Sequence, residues 1–141
     1  PAFGRQEKIL INGKTIEIFL AKNPTSFNQS LETIAALKAK HVLFALNDRI
    51  PDGRDVSWIW DIDFEEYRNT FSSITVSGER VFDLALRLQY ADIRMTNIEF
   101  RLGLAIQKAL DTIPQGQTLF ILPTYSAMLD VRKIVTGKKI L

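Results

Sequence analysis

The chain has 141 residues, 46% apolar and 24% charged, enough for one compact core and too few for two ordinary domains. Eighteen Lys and Arg against sixteen Asp and Glu leave a formal charge of +2, without the dense basic stripe that counterion release on nucleic acid requires. There is no Cys and a single histidine, His41, which excludes a disulfide frame, a thiol nucleophile and an ordinary zinc ligand set within this chain. No run reaches the about 18 to 20 consecutive apolar residues of a membrane span, since the uncharged stretch Thr112 to Leu129 is broken by Pro114, Gly116 and Pro123. The chain opens on Pro1 without a basic-then-apolar leader, so residues 1–141 read as a single domain cut from a longer protein.

In chain order, Lys8 to Ile11 and Thr15 to Leu20 alternate around Asn12-Gly13, a dipeptide suited to the positive φ angles of a tight hairpin. From Pro24, the residues Phe27, Leu31, Ile34, Ala35 and Lys38 share one helical face, which predicts a helix to about Lys40. His41 to Leu46 is a continuous apolar run, the pattern of a strand covered on both faces. Ser73 to Val76 reads as a short strand, followed by a turn at Ser77-Gly78 with Ser77 as N-cap. A helix striped by Val81, Leu84, Ala85 and Leu88 comes next, and another striped by Ile98, Leu102, Ala105, Ile106 and Ala109. Thr118 to Leu122 is a further buried strand, and Ala127, Met128, Val131, Ile134 and Val135 line a last helix with Thr124 as N-cap. Strands alternating with helices in this way predict an α/β, Rossmann-like, open and mainly parallel sheet flanked by helices, with an N-terminal antiparallel hairpin.

One segment stands apart. Residues 47–63, NDRIPDGRDVSWIWDID, hold five aspartates, two arginines and two tryptophans at the carboxyl end of a sheet strand, the edge where open α/β sheets place ligands. A βα connection of this length exceeds the usual two to six residues, and long ordered loops are disproportionately functional. The same residues also allow a structural reading. Pro51-Asp52-Gly53 is turn chemistry, Asp48 and Asp63 can cap, and Trp58 and Trp60 can form one buried face of a short extended segment. A divalent cation on Asp48, Asp52 and Asp55 is a further reading, although Gly53 falls outside the calcium-loop pattern. A third role needs a single carboxylate that orients a histidine while the histidine activates a nucleophile. The chain supplies neither companion: Cys is absent, and His41 begins its strand, roughly 20 Å from the loop, as a structural strand-edge residue.

Other candidates lie on the same rim. Ser77-Gly78 and Pro123-Thr124 each precede a helix at the end of a strand, where backbone N–H groups can receive a phosphate. Lys22 and Asn23 end the second hairpin strand, offering an ammonium and an amide for anion contact or for capping. Arg80, Arg87 and Arg94 alternate with apolar residues along a helix and read as a solvated face.

Four stretches, LAKNPTSFNQ (20–29), LNDRIPDGRDVSWIWDIDFE (46–65), VSGERVFDLALRLQYA (76–91) and LPTYSAMLDVRK (122–133), resemble the carboxy-terminal domain of the MurT family across nearly the whole chain. MurT is the Mur-ligase-like subunit of lipid II isoglutaminyl synthase. The resemblance implies a cytoplasmic ATP- and Mg-dependent enzyme that amidates the α-carboxylate of D-glutamate in lipid II to D-isoglutamine. The ammonia comes from glutamine, through a GatD glutaminase subunit that carries a Cys and a His. It also implies that the Asp after Gly-Arg, here Asp55, completes the glutaminase triad; Asp48, which also sits at the strand exit, is the second choice. Around it, Arg49, Asp52, Gly53, Arg54, Trp58 and Trp60 are the expected partner-binding residues. Lys22, Asn23, Ser77 and Thr124 are the expected nucleotide or phosphate contacts. The sequence departs from the wider Mur ligases in two places. The GTNGKT-type ATP loop is absent, and a turn that reads like D-Y-A-H-N-P there is Phe19-Leu20-Ala21-Lys22-Asn23-Pro24 here. No cofactor is therefore expected to bind this domain tightly, no metal site is expected in it, and the isolated domain is expected to be inactive. The alternative from another class is a nucleotide- or phosphate-binding Rossmann-like domain that acts without a glutaminase.

Overall fold

Asn12 and Gly13 both take positive φ, 50° and 81°, and turn β1 (Gln6–Ile11) into the antiparallel β2 (Lys14–Phe19), as an Asn-Gly hairpin should. This computed structural model describes residues 6–140; Pro1, on which the reading of a cut N-terminus rests, lies outside them. The chain continues through α1 (Pro24–Ala36), β3 (His41–Ala45), β4 (Ser73–Ser77), α2 (Val81–Tyr90) and β5 (Asn97–Glu99), then α3 (Leu102–Thr112), β6 (Thr118–Pro123) and α4 (Tyr125–Ile140). Among the described residues, six strands form one sheet in the order β1-β2-β6-β3-β4-β5. Every pairing after the hairpin is parallel, the architecture the sequence predicts.

The period of two along each strand divides the core between the sheet's faces. Val42, Phe44, Ile74, Val76, Phe120 and Leu122 point toward α1, α2 and the long loop after β3. Leu43, Ala45, Leu119 and Ile121 point toward α3 and α4. On the first face Phe27, Phe44 and Phe64 pack with ring centroids 5.3 to 5.6 Å apart, so the loop's far end is tied to the main core through Phe64.

Four local expectations are corrected. α1 ends at Ala36, short of Lys40, because Lys38 adopts φ 63°. Lys38 N then donates to Ala35 O and Ala39 N to Ile34 O, a Schellman ending that stops the helix even though its apolar spacing continues. Ile98 belongs to β5, paired with Val76, and α3 starts only at Leu102; its fit to the helical stripe was coincidental. Ser77 ends β4, and Arg80 is the N-cap position of α2. Trp58 and Trp60 sit in a 3-10 turn (Ser57–Asp61), one of three in the loop region with Ile50–Asp52 and Phe64–Tyr67. A period near three puts these rings on different sides, whereas an extended segment would put them on one.

The connection after β3 leads to its neighbour β4, whereas β6, on the other side of β3, leads into α4 on the opposite face. The sheet's switch point therefore lies between the carboxyl ends of β3 and β6, and the long loop emerges there. The turn after β4 passes very close to the start of this loop. Gly78 has φ 107°, and a Cβ there would lie 2.4 Å from Leu46 O. Gly78→Ala is expected to destabilise the fold by about 2 kcal/mol or more through strain and backbone contact, measured as a lower urea midpoint with an unchanged slope.

Candidate functional site

At the switch point the loop folds back on its own scaffold. Asn47 is buried; its N–H donates to Thr124 Oγ1 (3.1 Å), its Nδ2 to Ser126 Oγ (3.1 Å), and its Oδ1 accepts from Glu79 N (3.0 Å). Asp52 accepts from Ser126 N at 2.8 Å through one oxygen, and from the Ser126 hydroxyl and Arg49 N through the other. A carboxylate thus already occupies the amino end of α4, where the helix field favours negative charge. Arg49 bridges Glu79 and Asp130, each at 2.9 Å, and these two acids hold its guanidinium in the charged form.

This arrangement decides where the expected phosphate contacts lie. Ser77 and Thr124 are 0% and 1% exposed, so neither side chain faces solvent, and the Ser77 hydroxyl lacks a hydrogen-bond partner. The N–H groups of Glu79 and Ser126, at the two turns, are taken by Asn47 and Asp52. Asn23 caps α1, accepting from Ser26 N at 2.8 Å while Ser26 Oγ accepts in return from Asn23 N. Lys22 is exposed beside this cap. Among the described residues, no group of three or more His, Cys, Asp or Glu converges to hold a metal.

The second half of the loop turns outward. Gly53 (φ 92°) closes the first 3-10 turn, and Arg54 and Asp55 follow on the surface. Asp55 is exposed; its Oδ1 accepts from Ser57 N at 2.9 Å. The Ser57 N–H and then the Ser57 hydroxyl hold its carboxyl below the usual range. Asp48 pairs with Arg80 at 3.1 Å, and Arg80 also grips Asp83 at 2.7 Å. Asp55, Ser57, Trp60, Arg80 and Asp83 line an open depression of about 270 Å³. Trp58 packs inward, 6.4 Å from the Phe27 ring. Trp60 remains 45% exposed and meets Tyr90 edge-on at 5.4 Å.

One assignment from sequence reverses. Arg87, read as part of a solvated face, is 2% exposed. The Ser57–Asp61 turn and the residues after it lie over that side of α2, and Arg87 donates to Ile59 O, Ile62 O and Glu65. No pattern within α2 marks this burial, because the covering segment is about two dozen residues upstream; the acidic-aromatic run WIWDIDFE was the available hint. His41 sits at the opposite end of β3 from the loop, its Nδ1 2.8 Å from Ser73 Oγ and its Nε2 3.1 Å from Gln117 Oε1. With no Cys in the chain and its one histidine at the other end of β3, the site offers a solvent-facing, oriented carboxylate with neither thiol nor imidazole beside it. Such a group can accept a hydrogen bond from the Nδ1–H of an imidazole brought from outside.

The parallel sheet with an antiparallel opening hairpin is the fold of Mur ligase C-terminal domains. The chain superposes on a UDP-N-acetylmuramoyl-L-alanyl-D-glutamate–2,6-diaminopimelate ligase with TM-score 0.58 and 14% identity, covering 98% of this chain and 32% of that one. A domain from a protein assigned as a UDP-N-acetylmuramate:L-alanyl-gamma-D-glutamyl-medo-diaminopimelate ligase of Haemophilus ducreyi gives TM-score 0.56 at 12% identity, covering 92% of this chain and 94% of that one. The family model for the MurT ligase C-terminal region matches residues 20–128, and the chain belongs to that family. It is 34% identical over 142 residues to subunit MurT of the glutamine-hydrolyzing lipid II isoglutaminyl synthase of Streptococcus pneumoniae, covering 98% of this chain and 31% of that protein. With the Staphylococcus aureus subunit of the same name it shares 37% over 128 residues, covering 89% of this chain and 29% of that protein. The chain thus spans just under a third of the curated relatives it matches.

Two measurements test the geometry. Asp52→Ala removes the acceptor for Ser126 N and should cost about 1 to 2 kcal/mol, as loss of a helix cap does, read from thermal or urea unfolding. Glu65 is held at about 2, first by its hydrogen bonds from Arg87, against an ordinary value of 4.5. Because this folded-state pKa is depressed, its contribution is complete above about pH 4.5 and is lost as pH falls toward 2. In an acid titration of stability, Glu65→Gln should flatten the curve within that window and leave its shape above pH 5 unchanged.

Proposed function

We propose that this domain docks a GatD-like glutaminase subunit and lends it Asp55 as the third member of a Cys-His-Asp triad. The whole enzyme would then amidate the D-glutamate α-carboxylate of lipid II to D-isoglutamine. In this reading the glutaminase releases ammonia from glutamine in the cytoplasm, and the remainder of the synthetase subunit uses ATP with Mg to activate the carboxylate. The relatives' names, which include glutamine hydrolysis, support this assignment. The observation that carries it is Asp55 itself: exposed, oriented by Ser57, and in a chain whose one histidine is at the far end of β3.

The loop divides the expected partner-binding work. Arg49 and Asp52 brace it from within through Glu79, Asp130 and Ser126. Trp58 anchors it in the core, and Gly53, Arg54 and Trp60 form the surface beside Asp55. At neutral pH Asp55 is ionised, its carboxyl lying below the ordinary range, so it can hold an imidazole in one tautomer and stabilise the imidazolium that forms when a thiol is deprotonated. A nucleotide-binding domain acting alone is not favoured, since the N–H groups that would receive a phosphate are bonded within the chain.

In the assembled two-subunit enzyme, Asp55→Asn should lower kcat for glutamine hydrolysis on the order of 100-fold or more. Assembly and ligation driven by free ammonia should persist. Wild-type hydrolysis would remove Asp55 from the mechanism, and tight ATP binding by the domain alone in a calorimeter would favour the nucleotide-binding alternative.

A further inference from the structure

The clamp on the loop's outer half is more elaborate than packing alone requires. Arg87 projects from the last turn of α2 and is buried, 2% exposed. Its Nε donates to Ile59 O at 2.9 Å and its Nη2 to Ile62 O at 2.5 Å, while Nη1 and Nη2 reach the two Glu65 oxygens at 2.8 and 2.9 Å. The guanidinium carbon lies 5.2 Å from the Trp60 ring centre and 5.3 Å from that of Phe64. Burying a cation is costly, and a well-packed apolar side chain often serves stability equally well. What a planar fork adds is directional control over the carbonyls it meets.

Those carbonyls belong to the element that carries Asp55. The Ser57–Asp61 turn begins at the Ser57 N–H that Asp55 accepts, and Arg87 takes Ile59 O within the turn and Ile62 O just beyond its end. Ile62 N also bonds Ile59 O, so the turn's last hydrogen bond and the clamp share one acceptor. The acid thus bonds the start of this turn, and the buried cation bonds its middle and the residue just past its end. We propose that Arg87 is a positioning residue for Asp55: by fixing the Ser57–Asp61 turn on α2, it sets the direction in which the carboxylate meets an incoming imidazole. This inference rests on the triad role proposed for Asp55.

The test is a double-mutant cycle on glutamine hydrolysis in the assembled enzyme, with Arg87→Met, Arg87→Lys and Glu65→Gln, each with and without Asp55→Asn. Misplacing a catalytic group by about 1 Å costs up to 100-fold. Arg87→Met should therefore lower kcat by about tenfold or more, leaving the glutamine KM and ammonia-driven ligation unchanged. Arg87→Lys should fall between Arg87→Met and the parent, and Glu65→Gln should have a smaller effect in the same direction. In the Asp55→Asn background all three should cause no further loss, because residues that act through one group are not additive. If Arg87→Met fails to assemble, the other two carry the same comparison. Wild-type kcat in the clamp variants, losses that multiply with Asp55→Asn, or an equal fall in ammonia-driven ligation would each overturn the inference alone. Wild-type hydrolysis in Asp55→Asn by itself would overturn the triad role, and this inference with it.

Discussion

The buried amide of Asn47 is the constraint on which the loop's geometry depends. With the Asn47 backbone N–H, which donates to Thr124, it joins three chain segments that meet at the carboxyl edge of the sheet: its own strand exit, the turn after β4 through Glu79 N, and the start of α4 through Ser126. The Glu79 N–H can only donate, so the carbonyl oxygen of Asn47 must face it and the amide nitrogen must face Ser126. Ser126 in turn donates to Asp52, extending the chain of hydrogen bonds outward. A buried polar network of this kind stabilises when every member is paired, and leaving one member unpaired costs about 1 to 3 kcal/mol.

Open α/β sheets ordinarily receive ligands at the switch point, but here Asn47 and Asp52 satisfy the N–H groups a ligand would use. The loop's inner half makes these bonds, and its outer half presents Gly53, Arg54, Asp55 and Trp60 at the surface while Val56, Trp58 and Ile59 pack inward. The brace is charged at the edge, where Arg49 joins Glu79 and Asp130, and buried further along, where Arg87 joins the Ser57–Asp61 turn to α2. Ion pairs as exposed as those of Arg49 contribute little stability each; their effect here is to fix direction, since one guanidinium spans two elements.

A displayed carboxylate with its base elsewhere has a simple consequence under the proposed reading. Without the imidazole it has nothing to orient, and without the carboxylate the imidazole lacks its fixed tautomer. Hydrolysis of glutamine would then depend on assembly, and ammonia would be released only where the ligase can use it. The exposed Trp60, edge-on to Tyr90, supplies rigid apolar surface beside the acid, the kind of residue that carries binding energy at interfaces.

The sequence by itself determined the periodic parts of this protein. Asn12-Gly13 set the hairpin, the apolar run from His41 marked a strand covered on both faces, and the stripes of α1, α2, α3 and α4 marked their buried sides, because these signals depend on neighbours a few residues away. The unusual loop was visible as composition, and Asp55 was singled out within it through a family resemblance. Tertiary structure decided the rest. Lys38 ended α1 by a backbone turn that its apolar spacing did not announce, and Ile98 paired with β4 although it matched a helical stripe. Asp52 and Asp55, three residues apart and chemically identical, were sent one inward to cap α4 and one outward to solvent. Arg87 was buried by a segment remote in sequence. In each case the deciding partner lies beyond the reach of local periodicity, and only the folded sheet brings it close.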